Sequence, residues 1–178
     1  YRQFVGDGRR PLAMRALPED QRTEEMIDRL SVRIREEYAK RLFDTTRPYH
    51  GIPEMLDALV EKDVRIAVLT NKPHDTAEMM LLRLLPASSF EVITGESIDT
   101  PRKPDPTGAL RIARRMNIPP AEFVFLGDSG IDMQAANAAG MYAVGALWGF
   151  RDREELVSTG AQVLVEHPRE VISLFDGR

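Results

Sequence analysis

The chain contains no cysteine, which removes disulfides, thiolate metal sites and cysteine nucleophiles together. No apolar stretch approaches the roughly 20 residues needed to cross a bilayer, and no secretory leader is legible, so no membrane partner is expected and a cytoplasmic address is the default expectation. Basic runs are missing too. The 24 Lys and Arg are dispersed among 28 Asp and Glu, for a net charge of −4, and none of them form a stretch that could follow a phosphate backbone. Nucleic acid is therefore not expected as a partner. Internal repeats and low-complexity segments are also absent. What is present is an ordinary globular composition, 178 residues that are 43% hydrophobic and 29% charged, sufficient for one main domain and an appendage.

The order of signals along the chain divides it. Tyr1-Arg2-Gln3-Phe4 reads like the interior of an element, with no start signal before it. A glycine turn, Val5 to Pro11, leads into a short helix over Leu12 to Leu17. Residues 19 to 43 then place Met26, Ile27, Leu30, Ile34, Tyr38 and Leu42 on one stripe at helical spacing. Pro48 to Pro53 is a proline- and glycine-rich hinge. Beyond it, helical segments 53–61, 75–84, 107–116, 131–139, 153–159 and 168–174 alternate with strands 65–69, 90–94, 123–126, 142–146 and 163–165. Such alternation predicts an α/β fold: a Rossmann-like parallel sheet core at 49–178, covered on both faces, beside a small helical domain at 1–48.

Three polar clusters fall at predicted strand ends or in a stiff loop. Phe123 to Leu126 is a buried run that stops at Gly127-Asp128-Ser129, with Asp132 one helical turn later. Open α/β sheets bind their ligands at the carboxyl edge, and magnesium takes oxygen ligands from one or two carboxylates, so Asp128 and Asp132 are candidate metal residues. The competing reading is that Asp128 only caps the following helix. Thr70 and Asn71 end another strand and offer a hydroxyl, an amide and backbone N–H groups to an anion, although a threonine there also suits a plain turn. Lys103 lies in Lys103-Pro104-Asp105-Pro106, where the prolines hold the chain extended; a fixed cation of this kind can neutralise a phosphate dianion.

As an ordered set, Val68-Leu69-Thr70-Asn71-Lys72, Lys103-Pro104-Asp105-Pro106 and Gly127-Asp128-Ser129 with Asp132 resemble the second, third and fourth motifs of haloacid dehalogenase superfamily phosphatases. Within the superfamily the chain is most similar to phosphoglycolate phosphatases, through Phe4 to Arg9, through Ala136-Asn137-Ala138-Ala139-Gly140-Met141 and through Trp148-Gly149-Phe150. The resemblance implies that the helical domain is a cap. It implies a Mg2+-dependent hydrolysis of a small phosphorylated metabolite, 2-phosphoglycolate first among them, through an aspartyl-phosphate. Thr70 and the Asn71 backbone would hold the phosphoryl group, and Lys103 would neutralise it. Asp128 would bind magnesium, Asp132 would support the metal or the lysine, and Arg9 would contact a substrate carboxylate. A monomer or homodimer is expected. Other reactions on the same scaffold remain as alternatives, namely sugar-phosphate mutase, pyrophosphatase or phosphonate hydrolase, as does an inactive phosphate-binding module.

One departure is large. The family's nucleophile and its acid–base partner form an Asp-x-Asp pair after the first strand, and this sequence has no Asp-x-Asp. Asp7-Gly8 and Asp176-Gly177 are no substitute. In the family that strand lies between those ending at Thr70 and Asp128. Without it two apolar edges would lie unpaired, at about 1–3 kcal/mol per buried backbone group against a net domain stability of only about 5–15 kcal/mol. The expectation is that a segment upstream of Tyr1 supplies the strand.

Overall fold

The computed structural model describes residues 8–85 and 90–176, without the side chain of Arg9. The Tyr1 and Phe4–Asp7 readings therefore lie outside the described residues. The chain forms two compact units, residues 1–47 and 48–178.

In the first unit, helix α1 (Arg9–Ala16) is followed by a 3-10 turn (Glu19–Gln21) and helix α2 (Glu24–Arg41). The single long helix expected over 19–43 is thus divided. Thr23 takes an extended conformation and its hydroxyl accepts the Met26 N–H, so the helix starts anew behind a side-chain cap. Arg10 reaches from α1 to Glu24 and Asp28 on α2. Ala13, Ile27 and Leu42 are buried.

The second unit alternates helices and strands as the pattern predicted: α3 (Ile52–Glu61), β1 (Ala67–Pro73), α4 (His74–Leu84), β2 (Val92–Glu96), α5 (Thr107–Met116) and β3 (Val124–Gly127). There follow α6 (Gly130–Ala139), β4 (Tyr142–Ala146), α7 (Arg153–Ser158), β5 (Val163–Val165) and α8 (Pro168–Ile172). All strand pairs are parallel, with Leu69 opposite Thr94 and Leu126 opposite Val144. Successive residues of β4 point to opposite faces. Ala143 packs with Ala109, Met133 and Leu156 of α5, α6 and α7, while Val144 packs with Met55, Leu59 and Val171 of α3 and α8. Strand β1 begins two residues later than predicted and runs on through Thr70-Asn71-Lys72, because Pro73 keeps the preceding residue extended and pairs with Glu96.

Among the described residues the sheet is not continuous. Strands β1 and β2 form one parallel pair, and β3, β4 and β5 form a separate parallel sheet in that order. Between the facing edges of β1 and β3 lies a cavity of about 300 Å³. Ile66 to Leu69 line one side, Val124 to Leu126 the other, and Met55, Leu59, Ala109 and Ile112 the walls. The cavity therefore has a strand edge on two sides and an apolar helix layer on the other two. No helix among the described residues is long and apolar enough to cross a membrane.

Candidate active site

The carboxyl end of this slot carries the polar residues. Lys103 Nζ donates to the Leu69 carbonyl at 3.1 Å and to Asp132 Oδ1 at 2.6 Å. Leu69 lies on β1 beside Thr70, and Asp132 lies on α6 just past β3, so one ammonium group spans the mouth of the slot. Its side chain is 12% exposed and that of Asp132 6%, which makes this a largely desolvated ion pair. Such a pair is not free stabilisation, since desolvation offsets much of the attraction; its value is a fixed position for the charge.

Asp132 is fully engaged. Oδ1 holds Lys103, while Oδ2 accepts the backbone N–H groups of Asp128 at 3.2 Å and Ser129 at 3.1 Å and also the Ser129 hydroxyl. Ser129 is the N-cap of α6 and Asp132 its third residue, so Asp132 reaches back to the cap in the manner of a capping box. Helix capping thus falls to Ser129 and Asp132, not to Asp128. Of the two roles expected for Asp132, support of the metal or of the lysine, the geometry shows the lysine's partner.

Asp128 is left for other work. Its Oδ2 accepts the Phe150 N–H at 3.1 Å. Burial raises its pKa above the ordinary carboxylate value; the negative charge of Asp132 adds to this, and the Phe150 N–H and Lys103 oppose it. A half-buried carboxylate whose pKa is raised by burial and by a neighbouring negative charge is a site that gains from a cation. The loop after β4 presses directly on it: a Cβ built at Gly149 would lie 2.2 Å from Asp128 Cβ. Gly127 is required for a similar reason, since its Cβ would stand 2.2 Å from Asp132 Cβ. Glu155 on α7 completes this side by accepting the Gly130 N–H at 2.9 Å.

On the β1 side, the Thr70 hydroxyl accepts the Lys72 N–H at 3.2 Å and keeps its own proton for a donor bond. Asn71 uses its side chain differently from expectation: Oδ1 accepts the Lys103 N–H at 2.8 Å and Nδ2 donates to the Lys103 carbonyl at 3.1 Å. Arg102, next to Lys103, forms a two-pronged pair with Glu96 at the end of β2, at 2.6 and 2.8 Å. The structure thus brings Thr70, Asn71, Lys103, Asp128 and Asp132 to one end of one slot. Arg9 opens α1 in the other unit, and its side chain is not described. Glu96, Arg102, Gly149 and Glu155 were not singled out from the sequence. Only Gly149 carried a signal, in Trp148-Gly149-Phe150.

The described residues contain no cluster of three or more His, Asp or Glu able to hold a metal. A magnesium ion here would have the Asp128 carboxylate as its protein donor and would need phosphate, water or a further carboxylate to complete its shell. Magnesium accepts such a set, because it keeps several waters and needs only one or two protein carboxylates.

Residues 2–146 match the family model described as haloacid dehalogenase-like hydrolase. A phosphoglycolate phosphatase of Xylella fastidiosa is 37% identical over 132 residues, which cover 74% of this chain and 58% of that protein. An N-acetylmuramic acid 6-phosphate phosphatase of Pseudomonas aeruginosa is 35% identical with the same coverage of each. This chain thus spans less than two thirds of the length of these relatives. Among solved structures, a candidate phosphoglycolate phosphatase of Lactobacillus delbrueckii superposes with a TM-score of 0.91 at 27% identity, covering 99% of this chain and 82% of that one. A haloacid dehalogenase-like family protein of Streptococcus pneumoniae superposes with a TM-score of 0.84 at 22% identity, covering 98% and 80%.

Proposed function

Since the chain belongs to the haloacid dehalogenase-like hydrolase family, we propose that it forms the phosphate cradle of a magnesium-dependent phosphatase acting on a small phosphate monoester. The single observation that carries this reading is the Lys103 ammonium held at the slot mouth between the Leu69 carbonyl and Asp132. A fixed cation beside a hydroxyl donor and a half-buried carboxylate is what a phosphoryl group and its metal need, because transfer depends on positioning and on neutralising charge on the equatorial oxygens.

The attacking group comes from the strand that fills the slot. The carboxyl ends of β1 and β3 meet at Lys103 and both walls are apolar, which suits an extended apolar segment running parallel to them as the occupant. Its carboxyl end meets Lys103 and Asp128, where the family's aspartate pair belongs. The first aspartate attacks phosphorus and the P–O bond to the substrate breaks. The second, two residues on, gives its proton to the leaving alkoxide. A water deprotonated by that same carboxylate then displaces the first aspartate, and inorganic phosphate leaves.

Through these steps Thr70 and the Asn71 backbone hold the phosphoryl oxygens, Lys103 neutralises them and the nucleophile, and Asp128 holds the metal. When bound there, magnesium supplies charge stabilisation to the transferring group. The helical unit with Arg9 is taken as the family's cap, and the segment Pro48 to Pro53 as its hinge.

The named substrates of the two relatives, phosphoglycolate and N-acetylmuramic acid 6-phosphate, are both phosphomonoesters that also carry an acid group. That shared chemistry suits Arg9 as the contact for a carboxylate and makes 2-phosphoglycolate the first substrate to test. The experiment measures inorganic phosphate released by the full-length protein with magnesium from 2-phosphoglycolate, N-acetylmuramic acid 6-phosphate, other sugar phosphates and pyrophosphate. Turnover of an acid-bearing monoester supports the reading. Release from none of them, or only from pyrophosphate, contradicts it.

A further inference from the structure

We infer that the Asn71 side chain is a positioning residue for Lys103, acting through the lysine's backbone and not as a ligand of the substrate. The inference rests on the phosphatase reading for its consequence, but its geometry is independent of it.

Lys103 lies in a loop between β2 and α5, outside any regular element, yet its ammonium must be placed to within a fraction of an ångström to serve a phosphoryl group. Proline on its carboxyl side stiffens the loop but does not attach it to the sheet. The attachment is made by Asn71. Its Oδ1 takes the Lys103 N–H at 2.8 Å and its Nδ2 gives to the Lys103 carbonyl at 3.1 Å, so one planar amide engages both backbone groups of one residue. This two-point contact fixes the peptide in orientation as well as position, as a neighbouring strand would. The ammonium of the same residue returns to the Leu69 carbonyl, two residues before Asn71. Lys103 is therefore tied to β1 at both ends of its side chain.

The residue type follows from the task. Only Asn or Gln presents a donor and an acceptor side by side in one plane, and the shorter Asn loses less rotamer freedom in doing so. Aspartate would keep the bond from the Lys103 N–H but set a negative oxygen against the carbonyl. Alanine would keep neither. With Oδ1 and one N–H of Nδ2 engaged by Lys103, the plane of the Asn71 amide is set by that residue and not by the slot.

A double-substitution cycle in the full-length protein tests this. The probe is inorganic phosphate with magnesium, its Kd measured by calorimetry in wild type, Asn71→Ala, Lys103→Met and the double variant, with kcat and KM on the best substrate alongside. A residue that acts through Lys103 loses its effect once the lysine is gone. Asn71→Ala is expected to weaken phosphate binding about tenfold and to lower kcat more than it raises KM, and the double variant should match Lys103→Met within about twofold. Losses that multiply across the two sites would make Asn71 a ligand in its own right and overturn the inference, as would an Asn71→Ala protein indistinguishable from wild type.

Hydrogen exchange of the Lys103 amide separates this from the wider reading. That amide should be protected in wild type and at least tenfold faster in Asn71→Ala, while Val144 in β4 keeps its rate. If wild type neither binds phosphate nor turns over, the phosphatase reading fails, and a Lys103 amide unprotected in wild type then overturns the positioning role as well.

Discussion

The rim of the slot and the slot itself are built on opposite terms. At the rim, Asp132 satisfies four donors, Asn71 satisfies both backbone groups of Lys103, and no buried side-chain nitrogen or oxygen among the described residues lacks a partner. A few ångströms deeper, strand edges face each other across an apolar cavity of about 300 Å³ with no ladder between them. The contrast teaches that placement of the charged groups does not depend on the slot's occupant. Lys103 is held by β1 and α6, its neighbour Arg102 by β2, and Asp128 by α6 and the loop after β4. On the proposed reading, the occupant would bring the middle of the sheet and the carboxylates that react.

The comparison can be broken most forcefully at the rim. In the full-length protein, Lys103→Ala or Asp128→Ala should lower kcat by about 10³ through loss of charge stabilisation. Near-normal phosphate release by either variant would remove that residue from its assigned role.

Gly149→Ala acts more gently on the same group. The new methyl meets Asp128 at its Cβ, the stiff end of the side chain, so the loop must shift, at about 1–3 kcal/mol of overpacking. A lower thermal midpoint together with weaker magnesium affinity is expected; an unchanged affinity would mean that the loop does not set Asp128.

The raised pKa of Asp128 sharpens the contrast in a second way, because a group held for function is bought at the expense of stability. A carboxyl whose folded pKa is raised destabilises the fold at pH values above that pKa, and the effect vanishes below its ordinary, unfolded value. Asp128→Asn in metal-free protein should therefore raise the midpoint at pH 7 by roughly 2 °C or more, with no gain below about pH 4. A lower midpoint at neutral pH would contradict the burial that raises the pKa.

Asp105 gives the smallest effect and the opposite sign. The Thr107 side chain and its N–H, the latter at 2.8 Å, hold this carboxyl below its ordinary pKa, so it contributes stability above the ordinary value that is lost as pH falls through the lower one. Asp105→Asn should cost a little at pH 7, and the difference from wild type should close on titration below about pH 4. A gap that stays constant with pH would exclude the assigned cause.

Much of this was legible in the sequence because the signals were redundant. Strand β3 is an apolar run closed by Gly127-Asp128, β4 and β5 are short apolar runs, and the longer helices carry apolar residues at helical spacing. The clusters at Thr70, Lys103 and Asp128 stood out because polar residues end apolar runs or sit between prolines. What escaped is pairwise and remote. Nothing in the local pattern around Asn71 says that its amide spends both bonds on a residue 32 positions away, nor that Glu96 and Glu155 serve Arg102 and Gly130. The start of α2 was misread because a stripe continuing through 19–43 outweighed the cap at Thr23. Asp128 could be read as cap or ligand until the structure gave the cap to Ser129.

The most direct test is hydrogen exchange across the two facing edges in the full-length protein. Slot-facing amides of β1 between Ala67 and Leu69 and of β3 between Val124 and Leu126 should exchange as slowly as Val144 at the centre of β4 if, as proposed, a strand fills the slot. Rapid exchange there, with β4 still protected, would show the slot open and contradict the account.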